Sequence, residues 1–211
     1  MITLWRILLA LAAWAALALQ YWLMITGQPP AEVAARTVNF FSYFTILTNL
    51  LVAMTATAPM LAPGSTLGKG LGSPSPRAAA AMFITVVCLV YHVVLRQLWD
   101  PQGWQKVVDY ALHYVVPIAF LLDWLLLVPK GMLSWRAPVR WLAYPLVYAA
   151  WTLVHGHLSG FWPYPFVDAG AIGLQRVLLN MGGFVLAFLG LGLAFVGIDR
   201  LLGLMVQRRD P

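Results

Sequence analysis

The chain is dominated by long apolar stretches that are separated by short segments rich in polar residues, glycine and proline. A helix needs about 20 mostly apolar residues to cross the hydrocarbon core of a bilayer. The pattern therefore predicts an all-α fold, a bundle of six transmembrane helices in a single transmembrane domain that covers residues 1–211. The six predicted spans run over about residues 4–25, 40–61, 78–98, 107–128, 141–158 and 177–202.

Two segments carry signals other than a plain transmembrane span. The sequence Ala16-Leu17-Ala18 imitates a signal-peptide cleavage site, but the apolar run continues beyond it to Met24, which favours an uncleaved span. The segment 63–76 is rich in glycine, serine and proline. That composition predicts a mobile connection between the second and third spans.

The composition supports a membrane protein. Hydrophobic residues make up 62% of the chain and charged residues 9%, whereas soluble domains carry roughly 25% charged residues. The net charge of +6 comes from scattered residues that form no phosphate-tracking patch, so membrane lipids rather than nucleic acid are the expected partners. Cys88 is the single cysteine and excludes an intrachain disulfide.

The basic residues predict the orientation of the bundle, because cytoplasmic loops of membrane proteins are enriched in Lys and Arg. With both termini on one side, that side holds nine basic residues and the other holds four. Both termini are therefore expected in the cytoplasm. The nine are Arg6, Lys69, Arg77, Lys130, Arg136, Arg140, Arg200, Arg208 and Arg209, and the four are Arg36, Arg96, Lys106 and Arg176.

Polar residues inside the predicted spans concentrate at one depth, in the half of the membrane away from the termini. At about 1.5 Å of rise per residue, five helices place polar groups in this layer, and intramembrane polar groups are functional candidates. In the other half Asp123 is the main exception, and a cationic or polar partner is expected for it. The layer contains Thr45, His92, His113, Thr152, His155 and Asn180, with His157 above it.

Helical spacing groups some of these residues on common faces. Ser42, Thr45 and Asn49 form one stripe of the second span. Asp109 and His113 are four residues apart, so the carboxylate can hold the imidazole in one tautomer. In the fifth span an aromatic wall leads up to His155, and it is formed by Tyr144, Tyr148 and Trp151.

Threonine and histidine at one depth suggest nucleophilic acyl transfer. A threonine hydroxyl needs a base to remove its proton, and histidine is suited to this near neutral pH. Thr45 and His113 are the candidate nucleophile and base, and Thr48 is a nearby competitor for the nucleophile. The supporting or oxyanion-stabilising candidates are Asn49, Asp109, His155 and Asn180, and the substrate-pocket candidates are Ser42, His92, Tyr148, Trp151 and His157.

Three other interpretations remain open at this point. Each threonine can bond a carbonyl one turn back, and each histidine can join helices without catalysing. His92 with His113 or His155 can ligate a b-type haem. A channel or transporter is disfavoured by the short chain and the absence of an evident repeat. The favoured interpretation requires neither a cofactor nor a metal.

Three stretches around these residues resemble motifs of a known membrane protein family. The stretch FFSYFTILTN (40–49) resembles the start of the second span in the bacterial "Pr-six-Pr" membrane proteins, which are similar to the animal androgen-induced membrane protein family. LHYVVP (112–117) resembles the histidine motif of that family's fourth span. GFWPYPF (160–166) resembles its Gly-x-Trp-x-Tyr-Pro-Phe loop.

The resemblance implies a reaction and a location. Animal members are intramembrane hydrolases of fatty acid esters of hydroxy fatty acids, with a threonine nucleophile and a histidine. By resemblance, Thr45 and His113 take these roles here. It also implies a lipid-ester substrate and a multi-pass protein of the bacterial cell membrane.

Overall fold

A computed structural model describes residues 2–207 of the chain, and Arg208 and Arg209 of the basic count lie outside them. The described residues form helices and turns without a strand, so the all-α prediction is confirmed. The α-helices are α1 Ile2–Ile25, α2 Pro30–Phe40, α3 Phe44–Leu61, α4 Thr66–Gly72, α5 Pro74–Val90, α6 Gly103–Tyr110, α7 Val116–Leu127, α8 Ala137–Trp141, α9 Ala143–Ser159, α10 Ala169–Ile172 and α11 Leu174–Gln207.

Two π-helical turns modify this series. Tyr91–Leu95 prolongs α5, and Ala111–Val115 joins α6 to α7. With these turns included, five helices are long and apolar enough to cross a membrane. They are Ile2–Ile25, Phe44–Leu61, Pro74–Leu95, Gly103–Leu127 and Leu174–Val206.

The predicted fifth span differs from the other five. It corresponds to α9, which has 17 residues and is preceded by the short helix α8. By itself α9 is shorter than the roughly 20 residues that cross a bilayer. The described chain is therefore a helical bundle with five helices of spanning length and a sixth, shorter apolar helix beside them.

Two predicted boundaries are corrected. The second span does not run continuously from residue 40, because the chain leaves the helix after Phe40 and restarts it at Phe44. The segment 63–76, expected as a mobile connection, instead contains α4, whose first turn is capped by the Ser65 hydroxyl accepting from Gly68 N at 2.9 Å. Gly68 permits close packing, since a Cβ there would lie 2.0 Å from Ala62 O.

One end of the bundle is closed by a buried ion cluster. Asp123 on α7 is fully buried and accepts a hydrogen bond from Arg6 Nε at 3.0 Å and another from Arg77 Nη2. Arg77 also donates to Thr55 O at 3.2 Å. These contacts join α1, α3, α5 and α7, and they confirm the cationic partner expected for Asp123.

The loop between α7 and α8 fastens α11 to the same end. Asp199 accepts from Leu133 N at 2.9 Å, and Arg200 Nη2 donates to Leu133 O at 2.8 Å. Gly131 and Gly203 approach closely, since a Cβ on Gly203 would lie 2.6 Å from Gly131 Cα. The opposite end of the bundle carries no comparable ion cluster among residues 2–207, and the candidate site lies there.

We predict that Asp123→Ala strongly destabilises the protein. Removing the carboxylate leaves Arg77, which is 3% exposed, as an uncompensated buried charge, and breaking a buried pair costs about 3–5 kcal/mol. Thermal unfolding in detergent measures the loss. Glu32→Ala is the control, because the Glu32–Arg36 pair is exposed and its removal should cost less than about 1 kcal/mol. Equal melting temperatures for the two variants would contradict this assignment.

Candidate functional site

The helix that carries His113 is interrupted at this residue for a local chemical reason. In the π turn, Val116 N bonds Ala111 O, so the next bond in the pattern would run from residue 117 to Leu112 O. Residue 117 is proline and has no N–H to donate. Asn49 Nδ2 donates to the free Leu112 carbonyl instead, at 3.1 Å, and also donates to Thr45 O at 2.9 Å.

This arrangement changes the role of Asn49. Its amide hydrogens are used by two backbone carbonyls, so it positions the helices and does not supply an oxyanion donor. The bonds connect the first turn of α3, which holds Thr45, with the π turn that holds His113. π turns occur frequently at functional sites.

His113 is held on two sides. Its Nδ1 lies 2.9 Å from Asp109 O and 3.2 Å from Asp109 Oδ1. Both partners are acceptors, which assigns the proton to Nδ1 and leaves the lone pair on Nε2. Tyr91 stacks on the imidazole with ring centroids 3.9 Å apart and an angle of 15°, and its hydroxyl donates to Asp109 Oδ2.

Thr45 lies in the first turn of α3 and is 8% exposed. Its hydroxyl lies 3.3 Å from the Tyr164 hydroxyl, which also accepts from Thr45 N at 3.2 Å. Among residues 2–207 no hydrogen bond joins Thr45 directly to His113. Burial raises the pKa of Tyr164, in the loop after α9, to about 12, so this hydroxyl keeps its proton near neutral pH.

The GFWPYPF loop places Tyr164 against α3. Trp162 packs onto Gly156, where a Cβ would lie 2.4 Å from the indole ring. Tyr164 stacks on Phe166 with centroids 5.2 Å apart, and Asn180 on α11 donates to Phe166 O at 2.8 Å. The predicted supporting residue Asn180 thus holds the loop and has its amide directed at a carbonyl.

Thr45 and His113 line the same cavity, which has a volume of about 510 Å³. We call it the polar cavity. It lies where α1, α3, α5 and α6 meet, at the end opposite the ion cluster, and its size is typical of small-molecule sites. Its polar wall includes Thr45, Tyr91, Gln105, Asp109, His113 and Tyr164.

A second cavity begins on the other side of Thr45. This apolar cavity has a volume of about 110 Å³ and is lined by side chains of α3, α5, α9 and α11. Apart from the hydroxyls of Thr45, Tyr148 and Tyr164, every side chain in its wall is apolar. Thr45, Leu95 and Tyr164 belong to both walls, so they mark the junction of a polar and an apolar space.

Several predicted site residues form a separate cluster between α2 and α9. Ser42 is buried, accepts from Trp151 Nε1 at 3.0 Å through its hydroxyl, and accepts from the Tyr148 hydroxyl at 3.0 Å through its carbonyl. His155 stacks on Trp151 and bonds Asn39 Oδ1 through Nε2 at 3.0 Å. Of these four predicted residues, only Tyr148 lines a described cavity.

The two remaining histidines lie outside both cavities. His92 is exposed and bonds the Tyr114 hydroxyl through Nδ1 at 3.1 Å. His157 is exposed near the end of α9. The histidines that the sequence placed at one depth therefore lie at different lateral positions in the bundle. Each of His92, His113 and His155 bonds a different partner. No group of three or more His, Cys, Asp or Glu residues suited to a metal occurs within residues 2–207.

Two aromatic residues of the site were not singled out from the sequence. Tyr164 lies inside the GFWPYPF motif, so the sequence showed the motif but not that its tyrosine contacts Thr45. Tyr91 directly precedes His92, but α5 presents the tyrosine to His113 and the histidine to its exposed side. Gln20 and Gln105, joined at 2.8 Å, also line the polar cavity and carried no sequence signal.

Comparison of the chain with models of protein families, with curated proteins and with solved structures finds no match. The geometry of the site and the sequence resemblance are therefore the two sources of evidence for function.

Proposed function

We propose that this protein is an intramembrane hydrolase of lipid esters, with Thr45 as nucleophile and His113 as general base. The observation that carries the proposal is the placement of both side chains in one polar cavity that meets an apolar cavity at Thr45. A lipid ester has a carbonyl between an apolar chain and a polar or second apolar part. That substrate matches the junction of the two spaces.

The surroundings of His113 support its role as base. Because Asp109 engages Nδ1, the lone pair on Nε2 is the one available to take a proton. The backbone carbonyl of Asp109 is the hydrogen-bond acceptor and its carboxylate lies beside it, and an acceptor on Nδ1 of either kind fixes the tautomer of a histidine. Asp109 is 2% exposed and is fixed by Tyr91, so the imidazole is held before substrate arrives.

The proposed reaction requires Thr45 to reach His113 once substrate is bound. Without substrate the Thr45 hydroxyl pairs with Tyr164, and catalytic hydrogen bonds are often completed only in the substrate complex. His113 Nε2 then accepts the hydroxyl proton as Oγ1 bonds the ester carbon. The alkoxide leaving group receives that proton, and water hydrolyses the acyl-Thr45 by the reverse sequence.

The resemblance supports fatty acid esters of hydroxy fatty acids as the substrate class. In this proposal the first methylenes of the acyl chain, next to the carbonyl, occupy the apolar cavity against side chains such as Val185 and Phe188. Substrate arrives laterally from the lipid, and water enters through the polar cavity. No cofactor takes part.

The proposal includes the arrangement in the membrane. We infer that α8 and α9 together complete a sixth crossing, that both termini face the cytoplasm, and that the protein resides in the bacterial cell membrane. The ion cluster supports this orientation, because Arg6, Arg77, Lys130 and Arg200 lie at the end assigned to the cytoplasm.

Two alternatives remain as competing explanations. The Thr45–Tyr164 bond favours a purely structural role for Thr45, in a non-catalytic membrane protein. A haem between His113 and His92 or His155 would first have to replace the bonds to Tyr114 or Asn39. The hydrolase proposal keeps the bonds of His92 and His155 intact and requires only that the Thr45 hydroxyl leave Tyr164 when substrate binds.

The first prediction from the proposed function concerns the nucleophile. A fluorophosphonate probe should label the wild-type protein, and Thr45→Ala should abolish labelling and ester turnover because it removes the attacking hydroxyl. Thr45→Ser should retain part of both. His113→Ala should lower turnover about 10²–10⁴-fold, the usual contribution of a general base, and Asp109→Asn should lower it less.

Thr48→Ala is the matched control, since Thr48 lies one turn along α3, bonds Tyr144 and lines neither cavity. It should label like the wild type. Undiminished labelling and turnover in folded Thr45→Ala protein would overturn the proposed mechanism. Loss of folding in Thr45→Ala alone, with Thr45→Ser folded and inactive, would favour the structural role.

A second prediction concerns chain length. Val185→Phe should fill part of the apolar cavity and lower the ratio of long-chain to short-chain ester turnover by about tenfold or more, because each methylene that loses its place forfeits about 0.8 kcal/mol. Leu186→Phe is the control, since Leu186 is 71% exposed on the outside of the same helix. An unchanged ratio in Val185→Phe would place the acyl chain elsewhere.

A third prediction tests the topology. Reporter fusions should locate the N-terminus and the C-terminus in the cytoplasm, because an even number of crossings returns the chain to its starting side. Termini on opposite sides would mean that α9 does not cross and that the bundle has five spans.

A further inference from the structure

The hydrogen bonds of Tyr164 leave its proton available for a second purpose. Its oxygen accepts the N–H of Thr45 at 3.2 Å, so one lone pair is occupied. Within residues 2–207, the other hydrogen-bond partner of the Tyr164 hydroxyl is Thr45 Oγ1, at 3.3 Å. A phenol that receives an N–H in this way can direct its own O–H towards the reacting centre.

We infer that Tyr164 is a further catalytic residue, whose hydroxyl donates a hydrogen bond to the carbonyl oxygen of the substrate as that oxygen becomes an oxyanion. The inference rests on the proposed function. Thr45 Oγ1 forms the bond to the carbonyl carbon, His113 takes the hydroxyl proton, and the carbonyl π electrons move to the oxygen. Tyr164 stabilises that charge without giving up its proton, and the electrons return when the bond to the alkoxide breaks.

The position of Tyr164 suits this role because the ring is fixed on several sides. It stacks on Phe166 at an angle of 7° and meets Tyr43 edge-on at 5.8 Å. Trp162 and Asn180 anchor the loop on either side. A donor that is held before the reaction needs no reorganisation when charge develops, which is the main source of oxyanion stabilisation in enzymes.

Asn49 and Asn180 do not compete with Tyr164 for this role. Both were candidates for oxyanion donors, and both have their amide donors on backbone carbonyls. In the polar cavity Tyr164 is the hydroxyl donor in contact with Thr45. The raised pKa of about 12 keeps the hydroxyl protonated over the working range of a histidine base.

The chain provides a matched control pair. Tyr144 on α9 contacts Thr48 on α3 at 3.2 Å between hydroxyl oxygens, which repeats the chemistry of the Tyr164–Thr45 pair one turn away. Tyr144 lines neither the polar nor the apolar cavity. Tyr144→Phe therefore removes a half-buried tyrosine hydroxyl that is bonded to a threonine of α3, the helix of Thr45, without touching the proposed site.

The experiment compares Tyr164→Phe with Tyr144→Phe in the full-length protein in detergent, using a 4-nitrophenyl acyl ester and a linear trifluoromethyl ketone. Tyr164→Phe should lower kcat about 10²–10³-fold, the usual effect of losing one oxyanion donor, with KM nearly unchanged. The inhibition constant of the ketone, which forms an oxyanion on the nucleophile, should rise by a similar factor. Tyr144→Phe should change neither.

A kcat within about threefold of the wild type, or a ketone affinity that does not follow kcat, would overturn the inference while leaving Thr45 and His113 in place. If the wild type neither turns over the ester nor reacts with fluorophosphonate, the proposed function itself fails. If Tyr164→Phe does not fold, 3-fluorotyrosine at position 164 replaces it. This more acidic phenol should move the alkaline loss of kcat to lower pH, and an unmoved profile would contradict a donor role.

Discussion

The hydrogen bonds of Asn49 are the constraint on which the site depends. Inside a membrane a carbonyl without a partner is costly, because no water is available to satisfy it. Pro117 removes the backbone donor that would otherwise reach Leu112 O, and Asn49 supplies a side-chain donor in its place. Since the same amide also holds Thr45 O, one residue fixes the helix of the proposed nucleophile against the turn of the proposed base.

The two ends of the bundle differ in how they are packed. At one end Asp123 and two arginines neutralise one another in a buried cluster that joins four helices. At the other end the helices separate enough to leave a polar and an apolar cavity around Thr45. A cavity costs free energy because its walls lose packing contacts, so the contacts of other parts of the bundle must outweigh that cost.

The loop after α9 does more than connect two helices. It carries Tyr164 back to the first turn of α3, so the wall of the polar cavity is completed by a segment far along the chain from Thr45. Binding and catalytic residues are often placed on loops that a rigid scaffold positions. Here the scaffold is the contact of Trp162 with Gly156 and the bond from Asn180 to Phe166 O.

The sequence by itself determined the helical class, five of the six predicted spans and the pairing of Asp109 with His113, because these depend on local composition and on spacing within one helix. It also placed the polar residues near one end. It left open which of them share a cavity, since depth follows from the position along each helix whereas lateral position depends on how the helices pack.

Only the tertiary structure separated His113 from His92 and His155, directed the amide of Asn49 to a carbonyl, and brought Tyr164 to Thr45. These contacts join residues distant in the chain. Their geometry is decided by the packing of α1, α3, α5 and α6 and by the path of one loop, which no local pattern of apolar and polar residues encodes.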